Sequence, residues 1–174
     1  MSRLQIKENE RILENNFILY RKYTRKDVCK LLNWKKDYTS TIYGYKTDKN
    51  TNVCPIFVTY KKAENLSDTI DYDDHFLDDT RFNWMTRSNR TIFSSEVKPL
   101  IEQGKSHMRI MLFVQKDKTE DFYYLGDMKY AKHEETFLET KEKKLPIVNI
   151  QFDMKYPIRQ DIYHYLETNI EEQL

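Results

Sequence analysis

Three glycines and four prolines in 174 residues are too few for a glycine-rich phosphate loop or for long disordered linkers. The two cysteines, Cys29 and Cys54, both sit beside apolar residues, with no CxxC and no histidine at ligand spacing. That pattern argues against a disulfide framework or a zinc site and predicts buried, reduced thiols in a cytoplasmic protein. No run is long and apolar enough to span a membrane. Met1 to Asn16 is mostly charged and amide residues, so neither a signal peptide nor a membrane partner is expected. There is no Walker loop, nucleophile motif or HxE…CxxC pattern. The expectation is therefore a chain without catalytic residues or cofactor, not an enzyme. Asp71, Asp73, Asp74, His75, Asp78 and Asp79 are the nearest thing to a metal cluster, but read as a solvated acidic loop. His107, His133 and His164 have no partner at useful spacing.

Aromatic residues are abundant: 13 Tyr, 9 Phe and 2 Trp make up 14% of the chain. Strands favour such side chains, so much of this excess belongs to a core. Tyrosine also joins a ring to a hydrogen-bonding tip, which suits half-wet pockets. The formal net charge of +1 hides a segregated pattern. Residues 1–62 carry 14 Lys and Arg against 6 Asp and Glu, and residues 81–118 carry 8 against 3. Residues 63–80 carry 7 acidic and no basic side chains, and residues 119–174 carry 12 acidic against 7 basic. A polyanion would be met by the first and third blocks.

The stretch from Phe82 to Thr91, FNWMTRSNRT, joins an aromatic pair at strand spacing to two arginines and three hydroxyls. Rings hold a base by its face; guanidinium, amide and hydroxyl groups grip phosphates and base edges. The competing reading is an ordinary strand running into a surface loop.

Along the chain, Arg3 to Asn15 reads as a weak helix, giving a linker helix over residues 1–19 before a single domain over 20–174. Thr24 can cap a helix to Leu32, with Asp27 at its third position and Trp34 docked after it. Ser40–Lys46 and Pro55–Tyr60 alternate like two strands of a hairpin-like unit. Asn65–Thr80 reads as an acidic surface loop with a short turn of helix, and Phe82–Met85 as a strand. Ser94 or Ser95 is expected to cap a helix to Gln103, stopped by Gly104. His107–Val114 and Asp121–Gly126 pair across a polar turn. Glu134–Thr140 reads as another strand, Leu145–Phe152 as a strand buried on one face, and Gln160–Leu166 as a closing helix. Many short strands and few helices give an α+β fold around a strongly bent, mostly antiparallel sheet or small β-barrel with flanking helices.

Tyr23–Trp34 (YTRKDVCKLLNW) and Ser40–Tyr45 (STIYGY) resemble the opening of a domain family long without assigned function. Its members sit at the C-terminus of superfamily II helicases, often behind a phospholipase-D-type nuclease. Cys54–Tyr60, Phe82–Ser88, Leu112–Val114 and Phe122–Gly126 resemble later parts of that family, so the likeness spans about residues 20–166. The best understood relatives are SauUSI-type type IV, modification-dependent restriction enzymes. The resemblance implies a DNA-binding domain that recognises 5-methyl- or 5-hydroxymethylcytosine in double-stranded DNA, with helicase and nuclease modules as partners in phage defence. The late Phe-Tyr-Tyr-Leu-Gly adds a likeness to SRA/PUA-like base-reading folds. The alternative function is a protein-interaction module that docks on, or regulates, a helicase-nuclease.

A modified-base reader needs rings, an acceptor for the exocyclic amine, and a basic rim. Base flipping costs a few kcal/mol, and stacking on an aromatic ring returns roughly 1–3 kcal/mol per base. The candidate pocket residues are Tyr43, Tyr45, Trp84 and Tyr123, with Asp127 as acceptor. Tyr124 points opposite to Tyr123 in a strand, so at most one of them enters a given pocket. The candidate DNA contacts are Thr86, Arg87, Ser88, Asn89 and Arg90, and the cluster Arg21, Lys22, Arg25 and Lys26 at a helix start.

Overall fold

The computed structural model describes residues 7, 11–35, 38, 42, 44–60 and 74–168. The chain enters through a small hairpin, β1 (Leu13–Glu14) and β2 (Phe17–Ile18). Asn15 and Asn16 turn it, both at positive φ, a region that asparagine tolerates better than most residues. Among the described residues of the expected N-terminal helix none is helical, and Leu13–Glu14 is strand. Its apolar residues pair with the domain: Phe17 and Leu19 are buried in the main core. Isolated helix formation this short is weak, and tertiary packing wins.

Then follow β3 (Lys22–Tyr23) and α1 (Arg25–Leu31). Thr24 caps α1 as expected, and the capping box is complete: Asp27 N–H donates to Thr24 Oγ1, and Thr24 N–H donates to Asp27 Oδ2, each at 3.0 Å. Trp34 docks beyond it, its indole donating to Thr51 Oγ1 at 3.0 Å. Bridges Tyr45↔Ile56 and Asp48↔Val53 bring the next segment back antiparallel to β4 (Val53–Thr59). That is the hairpin-like unit; among the described residues its first arm pairs through the isolated bridge at Tyr45.

Beyond it come β5 (His75–Asp78), β6 (Arg81–Met85), the short helices α2 (Lys98–Ile101) and α3 (Gln103–Ser106), and β7 (Arg109–Gln115). β5 is a correction to the acidic-loop reading. Phe76 is buried against Phe82 across the β5–β6 pair, and its acidic neighbours hid the strand. The helix after Ser94 also differs. It starts at Lys98 without a side-chain cap, and its successor runs through Gly104 to end at His107, which takes the left-handed conformation.

The chain closes with β8 (Phe122–Glu139), β9 (Lys144–Met154) and α4 (Gln160–Glu167). The expected separate strand at Glu134–Thr140 is the outer half of β8. β8 stays continuous because β9 pairs along it from Met128↔Met154 to Glu139↔Lys144. Two bulges bend it. One lies at Leu125–Gly126, where Gly126 has φ +110 and an added Cβ would come within 3.3 Å of Leu19; the other lies at Ala131.

The sheet runs β4-β7-β8-β9-β6-β5, with β3 also on β8. Only β4–β7 is parallel among these named pairs; the rest are antiparallel. β4 and β7 are nearly all buried, as a parallel pair covered on both faces must be. The result is a curled half-barrel of the α+β class with few helices. Among the described residues no helix is long and apolar enough to cross a membrane.

Candidate nucleic-acid interface

A cavity of about 530 Å³ opens at the C-terminal end of β6. Its lining joins four separate parts of the chain: Gly44 and Tyr45, Phe57 of β4, Asp74 at the entry to β5, and the run from Trp84 to Ser88 together with Arg90. Gly44 takes φ +86, and its carbonyl accepts from Phe57 N–H at 2.6 Å, so this turn holds Tyr45 against the sheet.

Tyr45 and Trp84 meet edge to face with centroids 4.7 Å apart, and Trp84 leans on Phe152 at 6.1 Å. Only 2% of Tyr45 and 3% of Trp84 is exposed. They are the floor of the cavity and part of the core at once. The planar group nearer solvent is the Arg87 guanidinium, which lies 4.2 Å from the Tyr45 ring centroid and donates to the Tyr45 carbonyl.

Glu96 organises this rim. Its carboxylate accepts from Arg87 Nη1 at 2.9 Å and, through the other oxygen, from Arg90 Nε. The Tyr45 hydroxyl bonds to it as well. Burial would raise the Glu96 pKa, but the Tyr45 and Arg90 hydrogen bonds and the charges of Arg90 and Arg87 outweigh it and hold the carboxyl below its ordinary value of 4.5. Burial, with Glu96 alongside, pushes the Tyr45 hydroxyl far upward, so it stays protonated. A carboxyl depressed on folding stabilises the fold above its unfolded pKa and loses that contribution as pH falls through the folded one. Unfolding free energy is therefore expected to fall on acidification below about pH 4.5, and Glu96→Gln should flatten that slope. Denaturant melts of both proteins across pH 3–6 measure it; parallel slopes would show that the clasp does not form.

Asp74 supplies the acidic group: Oδ1 accepts from Met85 N–H at 2.9 Å. Sequence reasoning placed it in a solvated loop; its position one residue before a short strand was the missed signal. Glu96 was missed because only the fold brings its partners to it: Arg87 and Arg90 across a loop, and Tyr45 from far upstream in the chain.

The remaining candidates divide. Thr86 lines the cavity but is fully buried. Its hydroxyl donates to the Arg87 carbonyl at 3.0 Å and accepts from Val148 N–H at 3.1 Å, stapling β6 to β9. Ser88 lines the cavity and Asn89 is exposed at φ +61. Arg25 lies over Phe122 and Phe57, and Phe57 lines the cavity, so of the α1 cluster Arg25 touches the cavity wall without lining it. Arg21 and Lys26 are exposed; Lys22 pairs with Glu120 at 3.4 Å and covers the Tyr123 ring. Tyr123 packs on Tyr165 and is not among the cavity's lining residues. Asp127 is likewise elsewhere, accepting from Arg109 Nε at 2.9 Å and the Tyr124 hydroxyl at 2.7 Å. Tyr43, Asp71 and Asp73 lie outside the described residues. Of the acidic run, Asp78 accepts from Thr80 within the β5–β6 turn, and Asp79 accepts from Gln160 and Ile158, which ties that turn to the start of α4.

The model of the family described as "Domain of unknown function (DUF3427)" matches residues 17–166. The chain belongs to the DUF3427 family. That match begins at Phe17, the first buried residue of the β1–β2 hairpin. No match to a curated protein was found. Among solved structures, the DUF3427 fold is similar to that of "DNA modification-dependent restriction endonuclease AspBHI", with TM-score 0.56 and 10% identity over 83% of this chain and 77% of that one. It is also similar to the SUVH5 SRA domain, solved in complex with hemimethylated CG DNA, with TM-score 0.51 and 10% identity over 78% of this chain and 87% of that one. At that identity the likeness is one of fold, and the fold is SRA-like.

Proposed function

We propose that this chain is a DNA-binding specificity domain that recognises modified cytosine, 5-methyl or 5-hydroxymethyl, by taking the base out of the duplex into the cavity beside β6. The observation that carries the proposal is the convergence of Tyr45, Trp84, Arg87 and Asp74 on one cavity of an SRA-like fold. Each has a part. The guanidinium layered on Tyr45 offers a plane for the base to stack on. Trp84 closes the apolar floor, where a methyl group is accommodated. The Asp74 carboxylate accepts from the cytosine amine, an interaction worth roughly 1–3 kcal/mol of discrimination. With stacking of similar size, this offsets the few kcal/mol needed to unpair the base. Arg21 and Lys26 are the phosphate contacts, and Ser88, Asn89 and Arg90 form the rim. On this reading the domain would work beside helicase and nuclease modules that translocate and cut in a type IV restriction system, as the family resemblance implies.

A binding titration tests this on matched duplexes with and without one 5-methylcytosine, at several salt concentrations. Binding should weaken with salt, and the modified duplex should bind about tenfold tighter or more. Equal affinities would overturn the specificity. No binding even at low salt would favour a protein-interaction module.

A further inference from the structure

The cavity and its clasp carry no net charge. Among the described residues the lining holds two cations, Arg87 and Arg90, and one anion, Asp74. Glu96 stands behind the lining, paired with both arginines, and supplies the second carboxylate. A pocket that meets a polyanion is better served by a surplus of positive charge. Two arginines are present, and a carboxylate is set against them.

Glu96 is fixed in that place by its main chain. Its carbonyl accepts from Thr47 Oγ1 at 2.6 Å, and its neighbour Val97 is fully buried. The carboxylate engages both guanidiniums, one oxygen on Arg87 Nη1 and the other on Arg90 Nε. Each guanidinium uses a further donor on the protein. Arg87 Nη2 donates to the Tyr45 carbonyl, and Arg90 Nη1 lies 3.3 Å from the Ser88 carbonyl and 3.2 Å from that of Asn89. Carboxylate and phosphate oxygens take the same charge-assisted bonds from arginine. Glu96 thus fills the position on Arg87 and Arg90 that a DNA phosphate would take.

We propose that Glu96 sets specificity by withholding Arg87 and Arg90 from the phosphate backbone. The inference rests on the base-reading function proposed above for the cavity. Phosphate contacts strengthen binding to all DNA alike and carry no information about the base. Held on Glu96, Arg87 is kept as the plane over Tyr45, and Arg90 shapes the rim without gripping unmodified DNA. Discrimination is a difference of affinities, and it widens when affinity for the wrong ligand is kept low.

The test is the salt dependence of binding by the full chain, wild type and Glu96→Gln, on matched duplexes with and without one 5-methylcytosine. Glutamine keeps an acceptor for the Tyr45 hydroxyl and removes the charge. One or two phosphate contacts are then gained, so log affinity for the unmodified duplex should fall more steeply with log salt, by roughly 0.9–1.8 in slope. At low salt the variant should bind unmodified duplex about tenfold tighter, and its preference for the modified duplex should shrink. Adding Arg90→Gln to Glu96→Gln should reverse part of the steeper slope, which a merely loosened fold would not do. A folded Glu96→Gln with wild-type or weaker affinity for unmodified duplex, and an unchanged slope, overturns the inference and leaves the cavity's function standing. If Glu96→Gln does not fold, the wild type decides: the Arg90 Nε–H resonance should hold its position when unmodified duplex is added, and its movement overturns the inference. If wild type does not favour the modified duplex, the cavity's function fails, and the slopes on unmodified duplex still decide the part played by Glu96. Absence of DNA binding by both proteins overturns both.

Discussion

Trp84→Ala is expected to lower stability by about 3–5 kcal/mol, the range for truncating a buried aromatic. In a chain this long each kcal/mol moves the melting temperature by roughly 2–4 °C, so a fall on the order of 10 °C follows. The reason is burial: Trp84 is 3% exposed and wedged between Tyr45 and Phe152. The same substitution should also remove preference for modified DNA, because Tyr45 loses the edge contact that holds it under Arg87. Trp84 lines the cavity and belongs to the core at once. Trp84→Phe separates the two effects by restoring most of the burial with a smaller ring. Thermal melts and binding titrations on both variants are the measurement. A destabilised Trp84→Ala whose folded fraction still discriminates fully would show that the floor of the cavity takes no part in recognition.

Asp74→Asn is expected to act on recognition alone. The amide oxygen can keep the bond from Met85 N–H, now 2.9 Å to the carboxylate, so the entry to β5 is preserved. The charged acceptor for the cytosine amine is lost, and a donor takes the place of one oxygen. Affinity for modified duplex should drop by about tenfold to a hundredfold, the equivalent of roughly 1–3 kcal/mol. Affinity for unmodified duplex should stay the same, since that binding is carried by phosphate contacts. An equal loss on both duplexes would point to a disturbed fold, and no loss on either would remove Asp74 from the site.

The strand that carries Trp84 was legible because the period-2 spacing of Phe82 and Trp84 and the polar run after them mark a strand end at Met85. The α1 capping box was legible for a similar reason: its signal is local, three residues wide. Asp127 illustrates the opposite case. Its position just after Gly126 suggested an exposed strand end, but β8 continues through the bulge for another thirteen residues, to Glu139. Nothing local announces that, because β8 is held by β9 from across the sheet. Asp127 is thereby placed beside Arg109 of β7, where it forms an ion pair. Asp74 and Glu96 were hidden in the same way. A carboxylate among carboxylates or in a loop reads as solvated until the fold shows which donors face it. Arg87 and Arg90 show the same for the basic rim: residue type suggested phosphate or base-edge contacts, and the fold adds an ion pair from each guanidinium to Glu96.

The most direct measurement is the structure of the complex with a duplex bearing a single 5-methylcytosine. The expected result is the methylated base outside the helix, stacked on the Arg87–Tyr45 layer with its amine facing Asp74. A methylated base still paired within the duplex, or one held anywhere other than the cavity beside β6, would contradict it.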